Sequence, residues 1–354
     1  MNRQLISVAL SICALSAQHN AGAEVLLVCN FGSDTITRYD LATGAPMGAF
    51  DPCGNLDGPL CARVGPDGLL YVASEGNNRI VRYNPITGAC IDTFIEGGGL
   101  TQPTGLTWNA AGELLVASFD GDLVRRYNGA TGAYIGDIVT AAQAALNGAD
   151  NGTIVGPDGN LYVPSYFNNR ILRYNATTGA TVSIFASPIG RPRVLEFKDG
   201  SLFVTSESLH AVRQYDVATG ALIGNFIDTA SGGLSVPIGL AFGPDGFCYV
   251  SSAGTNSILK YNATTGAFVS SFAGAAEGIS LPAFITIVPS PPAPCQGDAN
   301  ASGAVDFDDI TEAIANWGAL STPGSLSAGD ANHDGVVDFD DITEIIANWG
   351  AICP

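Results

Sequence analysis

The stretch VPIGLAFGPDGFCYVSSAGTNSILKYNATTGAFVSSFAG, residues 236–274, divides into four short runs in which apolar and polar residues alternate. The sequences GPDG and ATTG separate some of these runs and supply residues that favour tight turns. Alternation with a period of two is typical of half-buried β-strands. The stretch therefore predicts a small antiparallel sheet of four strands.

Related stretches occur six times along the chain, and each has one tyrosine in its third run. These tyrosines are Tyr39, Tyr83, Tyr127, Tyr174, Tyr215 and Tyr261. They recur about every 40 to 47 residues, and four strands at such a period are typical of a β-propeller blade. The sequence therefore predicts an all-β, six-bladed propeller over residues 24–288.

The two ends of this repeat region complement each other. The first copy, residues 24–50, lacks an innermost run, whereas residues 281–290 form an innermost run with no further strands after it. An open array would leave two unpaired sheet edges, which promote aggregation. We therefore expect the ring to close through a blade that contains strands from both ends of the region.

The repeats resemble those of the NHL family. The stretches at residues 237–262 and 65–84, the latter reading GPDGLLYVASEGNNRIVRYN, follow its pattern, and the resemblance covers residues 24–288. It implies the six-bladed architecture and indicates little about activity. Where the family often has Asp, this chain has other small polar residues: Asn30, Ser74, Ser118, Ser165, Ser206 and Ser252. These side chains either form a ring that holds a sugar or water, or cap strand ends locally, and we favour capping.

The first 23 residues have the features of a secretory signal peptide. Arg3 precedes an apolar core at residues 5–17, and residues 21–23 form a typical cleavage site. The apolar core is too short for a membrane anchor. We therefore expect a secreted protein that is extracellular or associated with a cell surface.

Export permits disulfide bonds between the remaining cysteines. Cys53 and Cys61 lie in one connection and are spaced to close a small loop, and Cys295 and Cys353 bracket the C-terminal segment. The other cysteines lie in strand-like runs and are expected to be buried thiols: Cys29, Cys90 and Cys248.

Metal-dependent propellers of the gluconolactonase type need Glu, Asp and Asn side chains that converge at the mouth of the channel. The residues expected there follow the proline, or its counterpart, at the start of each inner run: Leu60, Thr104, Asn151, Arg193, Ile238 and Ala283. This set has no carboxylate, whereas a hard metal ion prefers several oxygen ligands. We therefore predict no catalytic residues and no metal-dependent lactonase activity.

Two arginines in the stretch IGRPRVLEF, Arg191 and Arg193, are candidate ligand-binding residues. Guanidinium groups recognise anionic ligands through paired hydrogen bonds. The alternative is an ion pair with Glu196 or Asp199, and the sequence favours neither interpretation.

Three acids and a histidine are further candidates for a ligand site. Glu75, Asp120 and Glu207 occupy similar positions in different blades, where they would offer paired carboxylates, although we favour solvated loop acids. His210 follows Ser206 and Glu207, a grouping that would suit a nucleophilic site, although we favour a solvated loop histidine.

The segment at residues 295–354 is strongly acidic and contains two nearly identical stretches. They read GDANASGAVDFDDITEAIANWG at residues 297–318 and GDANHDGVVDFDDITEIIANWG at residues 329–350. The segment has no Lys or Arg, in a chain whose net charge is −19. No basic patch occurs along the chain, which argues against nucleic acid or an anionic membrane as a partner. The concentrated negative charge indicates a bound cation instead.

Each stretch begins with a loop whose residue spacing is that of an EF-hand calcium site. Short oxygen-bearing side chains stand at positions 1, 3, 5, 9 and 12, a glycine at position 6 permits a sharp turn, and position 7 offers a backbone carbonyl. The first loop supplies Asp298, Asn300, Ser302, Ala304, Asp306 and Asp309. The second loop supplies Asp330, Asn332, Asp334, Val336, Asp338 and Asp341. Apolar residues at spacings of three and four predict a helix after each loop.

Two such loop–helix units resemble the type I dockerin, and the match covers residues 296–351. The resemblance implies two Ca²⁺ ions and attachment to a cohesin-like module or a cell-surface receptor. The positions that help dockerins to choose a cohesin are here Phe307, Asp308, Phe339 and Asp340. A small all-α dockerin-like module is thus predicted over residues 295–354, after a Pro-rich linker at residues 289–294.

The sequence as a whole predicts a secreted, scaffold-associated binding protein whose propeller binds a protein or a glycan. The alternative is a carbohydrate-active enzyme, a polysaccharide-degrading hydrolase, a lyase or a lactonase, that the dockerin-like module delivers. A purely structural surface protein is a third interpretation.

Overall fold

The computed structural model describes residues 24–50, 56–143, 145–289, 297, 299, 305–320, 328–332 and 334–349. The predicted signal peptide and residues 290–294 of the predicted linker lie outside the described residues. Within the described ranges the strands form six four-stranded antiparallel sheets, which are the blades of a propeller. This confirms the prediction of an all-β, six-bladed propeller.

The blades follow one another in chain order. Blade 1 contains β1 (Glu24–Asn30), β2 (Thr35–Asp40) and β3 (Pro46–Ala49), and blade 2 contains β4 (Pro59–Val64), β5 (Leu70–Ser74), β6 (Arg79–Tyr83) and β7 (Cys90–Glu96). Blade 3 contains β8 (Pro103–Trp108), β9 (Glu113–Ser118), β10 (Leu123–Asn128) and β11 (Tyr134–Val139). Blade 4 contains β12 (Ile154–Val155), β13 (Asn160–Ser165), β14 (Arg170–Asn175) and β15 (Thr181–Ala186). Blade 5 contains β16 (Pro192–Lys198), β17 (Ser201–Ser206), β18 (Ala211–Asp216) and β19 (Leu222–Ile227). Blade 6 contains β20 (Pro237–Phe242), β21 (Phe247–Ser252), β22 (Ser257–Asn262) and β23 (Phe268–Ala273), and β24 (Pro282–Pro289) completes blade 1.

The last strand of the propeller closes the ring. β24 pairs antiparallel with β1, so that Val25 faces Val288 and Val28 faces Ile285. The hydroxyl of Thr286 also donates to the carbonyl of Ala62 in the inner strand of blade 2, at 2.6 Å. The predicted closure by both ends of the repeat region is therefore confirmed.

The inner strands are irregular near their starts. The pairing of β4 with β5 shifts register between Pro59 and Cys61, and equivalent shifts occur in β8, β16 and β20. A bulge changes the direction in which the following side chains point. In blade 2, for example, the first and the fourth residue after the proline, Leu60 and Arg63, both line cavities at the centre of the ring.

The small polar residues that end the second strands bond locally. Ser74 accepts a hydrogen bond from the backbone N–H of Asp57 at 2.9 Å and donates to the carbonyl of the same residue. Ser252 makes the same pair of bonds to Ser235. These serines are buried. The prediction of local capping is therefore confirmed for Ser74 and Ser252, because their hydroxyls are already bonded to the loop that leads into their own blade.

A second repeated bond joins each blade to the next, and we call it the interblade latch. A residue with left-handed backbone before the third strand uses its side chain to accept a hydrogen bond from a backbone N–H of the following blade. The six acceptor and donor pairs are Asp34 and Gly58, Asn78 and Gln102, Asp122 and Gly148, Asn169 and Arg191, His210 and Val236, and Asn256 and Leu281. All six distances lie between 2.6 and 2.9 Å. Because Asn and Asp tolerate left-handed backbone, they are suited to this position.

Two short helices follow in the C-terminal segment. They are α1 (Phe307–Ala315) and α2 (Phe339–Ala347). Asp306 and Asp338 cap them, each accepting a hydrogen bond from the backbone two residues later at 2.9 Å. No helix within the described ranges combines the length and the apolar character that a membrane-spanning helix requires.

The two halves of this segment contact each other reciprocally. The N–H of Gly297 donates to the carbonyl of Ala331, and the N–H of Gly329 donates to the carbonyl of Ala299, both at 2.9 Å. A small core between the halves contains Ala299, Val305, Ala313, Ala331, Val337 and Ile345. The repeat in sequence is thus a repeat in structure, with the halves exchanging equivalent bonds.

The cysteines differ in part from expectation. Cys29 and Cys248 are buried free thiols as predicted, but Cys61 is also a buried free thiol and so does not bridge to Cys53. Cys90 is disulfide-bonded rather than free. Cys61 lies on the inner strand β4 with its side chain in the core, whereas Cys90 begins the outermost strand β7 and is partly exposed. Cys53, Cys295 and Cys353 lie outside the described residues.

Candidate functional site

The loops between the second and third strands meet at one end of the central channel, which we call the upper mouth. Each loop presents the residue that directly follows the buried serine or Asn30: Phe31, Glu75, Phe119, Tyr166, Glu207 and Ala253. A cavity of about 300 Å³ opens here. Its lining is mostly apolar, with two charged groups, Glu75 and Arg193.

Arg193 lies at the centre of a buried ion network in the upper mouth. Its Nη1 donates to Asp150 at 3.0 Å, and its Nε donates to Glu207 at 2.7 Å. Its guanidinium also lies over the ring of Tyr166, 4.4 Å from the ring centre, and the Tyr166 hydroxyl donates to Glu207 at 2.7 Å. Four side chains from blades 4 and 5 thereby fix one another.

The pKa values of the two carboxylates in this network are shifted in opposite directions. Burial raises the pKa of Asp150, which is 0% exposed, and Arg193 only partly offsets this. Burial also acts to raise the pKa of Glu207, but Arg193, Tyr166 and Arg191 together hold it below the ordinary value. Glu207 is therefore the stably charged partner of the arginine, because it accepts more hydrogen bonds than Asp150 does.

Glu75 lies in blade 2, three blades from Arg193 and therefore on the opposite side of the mouth. Burial raises the pKa of Glu75 to about 7, Asp150 adds to the rise, and Arg193 opposes it. No salt bridge joins Glu75 to a cation among the described residues, so its carboxyl group is available to a ligand. A carboxyl with such a pKa changes charge near neutral pH.

The structure decides between the alternatives for the two arginines. Both form ion pairs, but with Glu207 and Asp150 rather than with Glu196 or Asp199. Arg191 lies 3.3 Å from Glu207 and is 52% exposed, so it remains accessible at the rim. Asp199 pairs instead with Lys198.

The expectation that this mouth lacks carboxylates was wrong. Asp150 occupies the position that proline holds at the start of the other inner strands, one residue before the position read from the sequence. Glu75 and Glu207 are half-buried and buried members of the mouth rather than solvated loop acids. Only Asp120 is exposed, as expected for a loop acid. The sequence signal that could have found Asp150 is the break in the proline pattern, NGADNG in place of a proline.

His210 is not a free loop histidine. Its Nδ1 accepts the backbone N–H of Val236 at 2.9 Å as the blade 5 member of the interblade latch. The sequence signal was available, since Asp or Asn stands at this position in each of the other five copies. The Ser206 hydroxyl is also bonded locally, since it donates to the carbonyls of Ile189 and Gly190. Ser206, Glu207 and His210 therefore do not form a catalytic grouping.

The second loop of the C-terminal segment is described except for residue 333, whereas residues 298, 300–304 and the side chains there lie outside the described residues. Asp330 accepts the N–H of Gly335 at 3.1 Å, and Asp341 accepts the N–H groups of Asn332 and Asp338 at 3.1 and 2.7 Å. Asp334 accepts the N–H of Val336 at 2.9 Å. These bonds fold the loop around its own acidic side chains.

The burial of these acids suits a cation. Asp309, Asp330 and Asp341 are 0% exposed, and residues 295–354 contain no Lys or Arg to neutralise them. Carboxylate oxygens are the ligands that Ca²⁺ prefers. Within the described ranges, however, no three His, Cys, Asp or Glu side chains are arranged to hold a metal ion.

The predicted docking residues are exposed in matched pairs. Phe307 and Phe339 are both 68% exposed at the first positions of α1 and α2. Ile314 and Ile346 are exposed as well, whereas Ala313 and Ile345 are buried between the halves. Each helix therefore has two apolar faces, one packed and one in solvent.

Comparisons with known proteins identify the fold. No protein-family model matches the chain, and no curated protein matches it. A chain of the crystallised nidogen/laminin complex matches with a TM-score of 0.61 and 18% identity, over 76% of this chain and 100% of that chain. A protein of unknown function from Bacteroides caccae matches with a TM-score of 0.60 and 14% identity, over 75% and 99% of the two chains. A catalytically inactive virginiamycin B lyase from Staphylococcus aureus, crystallised with quinupristin, matches with a TM-score of 0.51 and 14% identity, over 70% and 84%.

This chain has the six-bladed β-propeller fold. At such identities the similarity shows the fold alone, and the three matched structures have different descriptions. Because one fold serves many functions, the functional argument depends on the site.

Proposed function

We propose that this protein is a secreted binding protein whose propeller holds a protein or a glycan at the upper mouth. The observation that carries the proposal is the cavity of about 300 Å³ at the channel axis, with apolar walls and with Glu75 facing Arg193. Concave, mostly apolar sites with a few fixed polar groups are typical ligand sites. The ion network around Arg193 keeps that polar group in place before a ligand arrives.

The rim of the upper mouth supports a ligand larger than the cavity. Phe31, Phe167, Leu209 and Leu281 are large apolar side chains that remain exposed in the loops at this end. Phe167 also packs on Phe119 and Tyr166, with ring centres 5.4 and 5.0 Å apart, so part of the rim is an aromatic surface. Exposed apolar patches of this kind mark interaction sites, and aromatic rings suit both protein side chains and sugar faces.

We further propose that the repeats are of the NHL type and that the C-terminal segment is a dockerin-like module. In this proposal the module binds two Ca²⁺ ions, one through each loop, and attaches the protein to a cohesin-like partner or a cell-surface receptor. The three buried carboxylates of the loops, Asp309, Asp330 and Asp341, support the calcium sites, because carboxylate oxygens are preferred Ca²⁺ ligands. The twofold-matched exposure of Phe307 and Phe339 supports the docking role, because an equivalent apolar residue is presented by each half.

A second candidate function is catalysis on a glycan by Glu75, and one observation favours it. A carboxyl group with a pKa of about 7 is suited to act as a general acid or base near neutral pH. Arg191, which remains accessible at the rim, would hold an anionic substrate group. This chemistry uses no metal ion, in agreement with the prediction that metal-dependent lactonase activity is absent.

A ligand screen on the full-length protein tests the binding proposal. The protein is applied to a glycan array and to a peptide library, together with a Phe31→Ala variant and a matched control, Phe268→Ala. Phe268 is similarly exposed but lies on the outer strand of blade 6. We expect binding that is weakened by Phe31→Ala and unchanged by the control. Equal binding by all three proteins, or no binding at all, contradicts the proposal.

A turnover assay distinguishes the proposed binding function from the proposed catalytic function. The hits from the screen are incubated with the protein and with Glu75→Gln, and the products are separated by chromatography. Cleavage that is lost in Glu75→Gln supports the enzyme, whereas binding without cleavage supports the binding protein. Turnover of sugar lactones that a chelator abolishes contradicts both proposals.

Calcium binding is tested on the full-length chain by isothermal titration calorimetry and circular dichroism. We expect two bound ions per chain, and a gain of helical signal when calcium replaces a chelator, because binding energy becomes folding energy. The double substitution of Asp330→Ala and Asp341→Ala is expected to remove one ion. Fewer than two ions, or the same helical signal with and without calcium, contradicts the dockerin-like assignment.

A further inference from the structure

The opposite end of the channel holds a second and larger cavity, which we call the lower mouth. Its volume is about 590 Å³. The fourth residue after each proline position lines it, one from every blade: Arg63, Thr107, Ile154, Glu196, Ala241 and Thr286. The lower mouth shares no lining residue with the upper cavity, so the two sites are separate.

The side chain of Arg63 lines this cavity and brings a positive charge to it. Its Nε and Nη2 are buried and have no hydrogen-bond partner among the described residues. Its guanidinium lies over the ring of Phe284, 5.0 Å from the ring centre, which fixes its plane. The charge of this guanidinium group favours an anionic group in the cavity. Arg193 in the upper mouth differs, because two carboxylates already bind it.

Glu196 lies across the lower mouth from Arg63. Arg63 is in blade 2 and Glu196 is in blade 5, three blades apart in a ring of six. The two charges are not within ion-pair distance of each other, and Glu196 has no salt bridge to another described cation. Burial raises the pKa of Glu196, and the more distant Arg63 only partly offsets the rise. A cationic group near this carboxylate would therefore be favourable.

The wall between these charges is apolar and aromatic. Trp108, Phe242 and Phe284 line it, and Lys198 lies over the outer side of Phe242 at 5.6 Å. The two threonine hydroxyls that line the cavity are already hydrogen-bonded within the protein, since Thr286 donates to Ala62 and Thr107 accepts from Val155. The lower mouth thus combines an apolar surface with a cation and an anion that form no salt bridge to any described residue.

We propose that the lower mouth binds a small zwitterion of the amino-acid or short-peptide class. The ligand carboxylate pairs with the guanidinium group of Arg63, its ammonium group donates to Glu196, and its apolar side chain lies against Trp108 and Phe242. This arrangement pairs both protein charges at once. A ligand with a single charge leaves one of them unpaired in a half-buried site.

Isothermal titration calorimetry on the full-length protein tests the proposal with four probes. L-phenylalanine and glycyl-L-phenylalanine are zwitterions with different spacings between their charges. N-acetyl-L-phenylalanine keeps only the carboxylate, and L-phenylalanine methyl ester keeps only the ammonium group. We expect at least one zwitterion to bind, and both singly charged compounds to bind about tenfold or more weakly, the loss typical of one charged hydrogen bond.

Substitutions locate the site. Arg63→Gln is expected to weaken the zwitterion to the level of the methyl ester, and Glu196→Gln is expected to weaken it to the level of the acetyl compound. Glu196→Gln is nearly isosteric and so keeps the test valid where Arg63→Gln disturbs folding. Arg213→Gln serves as the control, because Arg213 is on the third strand of blade 5 and bonds the carbonyl of Pro188.

The outcomes are distinct. Loss of binding in both lower-mouth variants, with Arg213→Gln unchanged, establishes the site. The proposal is overturned if neither zwitterion gives binding heat, or if the singly charged compounds bind as tightly as the zwitterions. It is also overturned if Glu196→Gln leaves binding unchanged. Because Glu75 and Arg193 are untouched by these variants, the result is independent of the ligand proposed for the upper mouth.

Discussion

His210 is the single histidine among the six acceptors of the interblade latch. The other five are Asp or Asn, and all six accept a backbone N–H from the next blade. We expect His210→Asn to keep the thermal midpoint, because the amide oxygen replaces Nδ1. His210→Leu should lower the stability by about 1 to 3 kcal/mol, since the N–H of Val236 then lacks an acceptor. Chemical denaturation of both variants measures the difference, and equal stabilities contradict a structural role.

Glu75 gives the upper mouth a dependence on pH. Its pKa rises from an ordinary 4.5 to about 7 in the folded protein, chiefly through burial. The folded state therefore binds more protons than the unfolded state between these values, so stability falls as pH rises through this window. Glu75→Gln should remove that part of the fall. Thermal melts from pH 4 to pH 8 measure it, and parallel profiles for the two proteins count against the shift.

The sequence identified most residues of the upper mouth but not their partners. Arg191, Arg193, Glu75 and Glu207 were candidates; Glu75 and Arg193 line the cavity, and the other two belong to the ion network around Arg193. The partners were missed because they come from other blades: Asp150 lies 43 positions before Arg193, and Tyr166 lies 41 positions before Glu207. Pairings of this kind depend on how blades are rotated against each other, which repeat spacing does not contain.

At the scale of the element, the inner strand of blade 4 depends on a close approach to blade 5. A Cβ added at Gly152 would collide with the carbonyl oxygen of Arg193 and would lie 2.7 Å from the amide nitrogen of Leu195. We expect Gly152→Ala to lower stability by about 1 to 3 kcal/mol, as overpacking does, and to displace Arg193.

The matched control for this substitution is Gly224→Ala. Gly224 lies on the outer strand β19, and a Cβ there would meet no atom within 4 Å. Denaturation curves for both variants decide the matter. Equal stability of the two variants would show that the inner strands can separate without cost.

The pattern of apolar and polar residues predicted the strands, because each blade repeats the same four runs with similar turns. It did not predict the bulges of the inner strands, which change the facing of Leu60 and Arg63. A strict period of two places these two residues on opposite faces. The sequence therefore could not predict which residues line the lower mouth, because the bulges decide which side chains face the channel.

The whole ring depends on one strand. β24 pairs with β1 along its length and also contacts the inner strand of blade 2. A chain that ends at residue 273 should unfold over a broad range, because each remaining blade is then stabilised only by its neighbours. A chain that ends at residue 294 should unfold in one sharp transition. Calorimetry compares them, and equally sharp transitions exclude a closing role for β24.

The position of β24 at the end of the propeller sequence determines the order in which the blades are completed during synthesis. The N–H of Ser280 bonds to Asn30 across 250 positions of the chain. During synthesis from the N-terminus, blade 1 therefore emerges first and is completed last, while the later blades stack onto an unfinished edge. A chain that ends before residue 282 lacks β24 and leaves the inner edge of β1 unpaired. Blade 1, the first to be made, therefore becomes a four-stranded sheet only after the last strand of the propeller has been made.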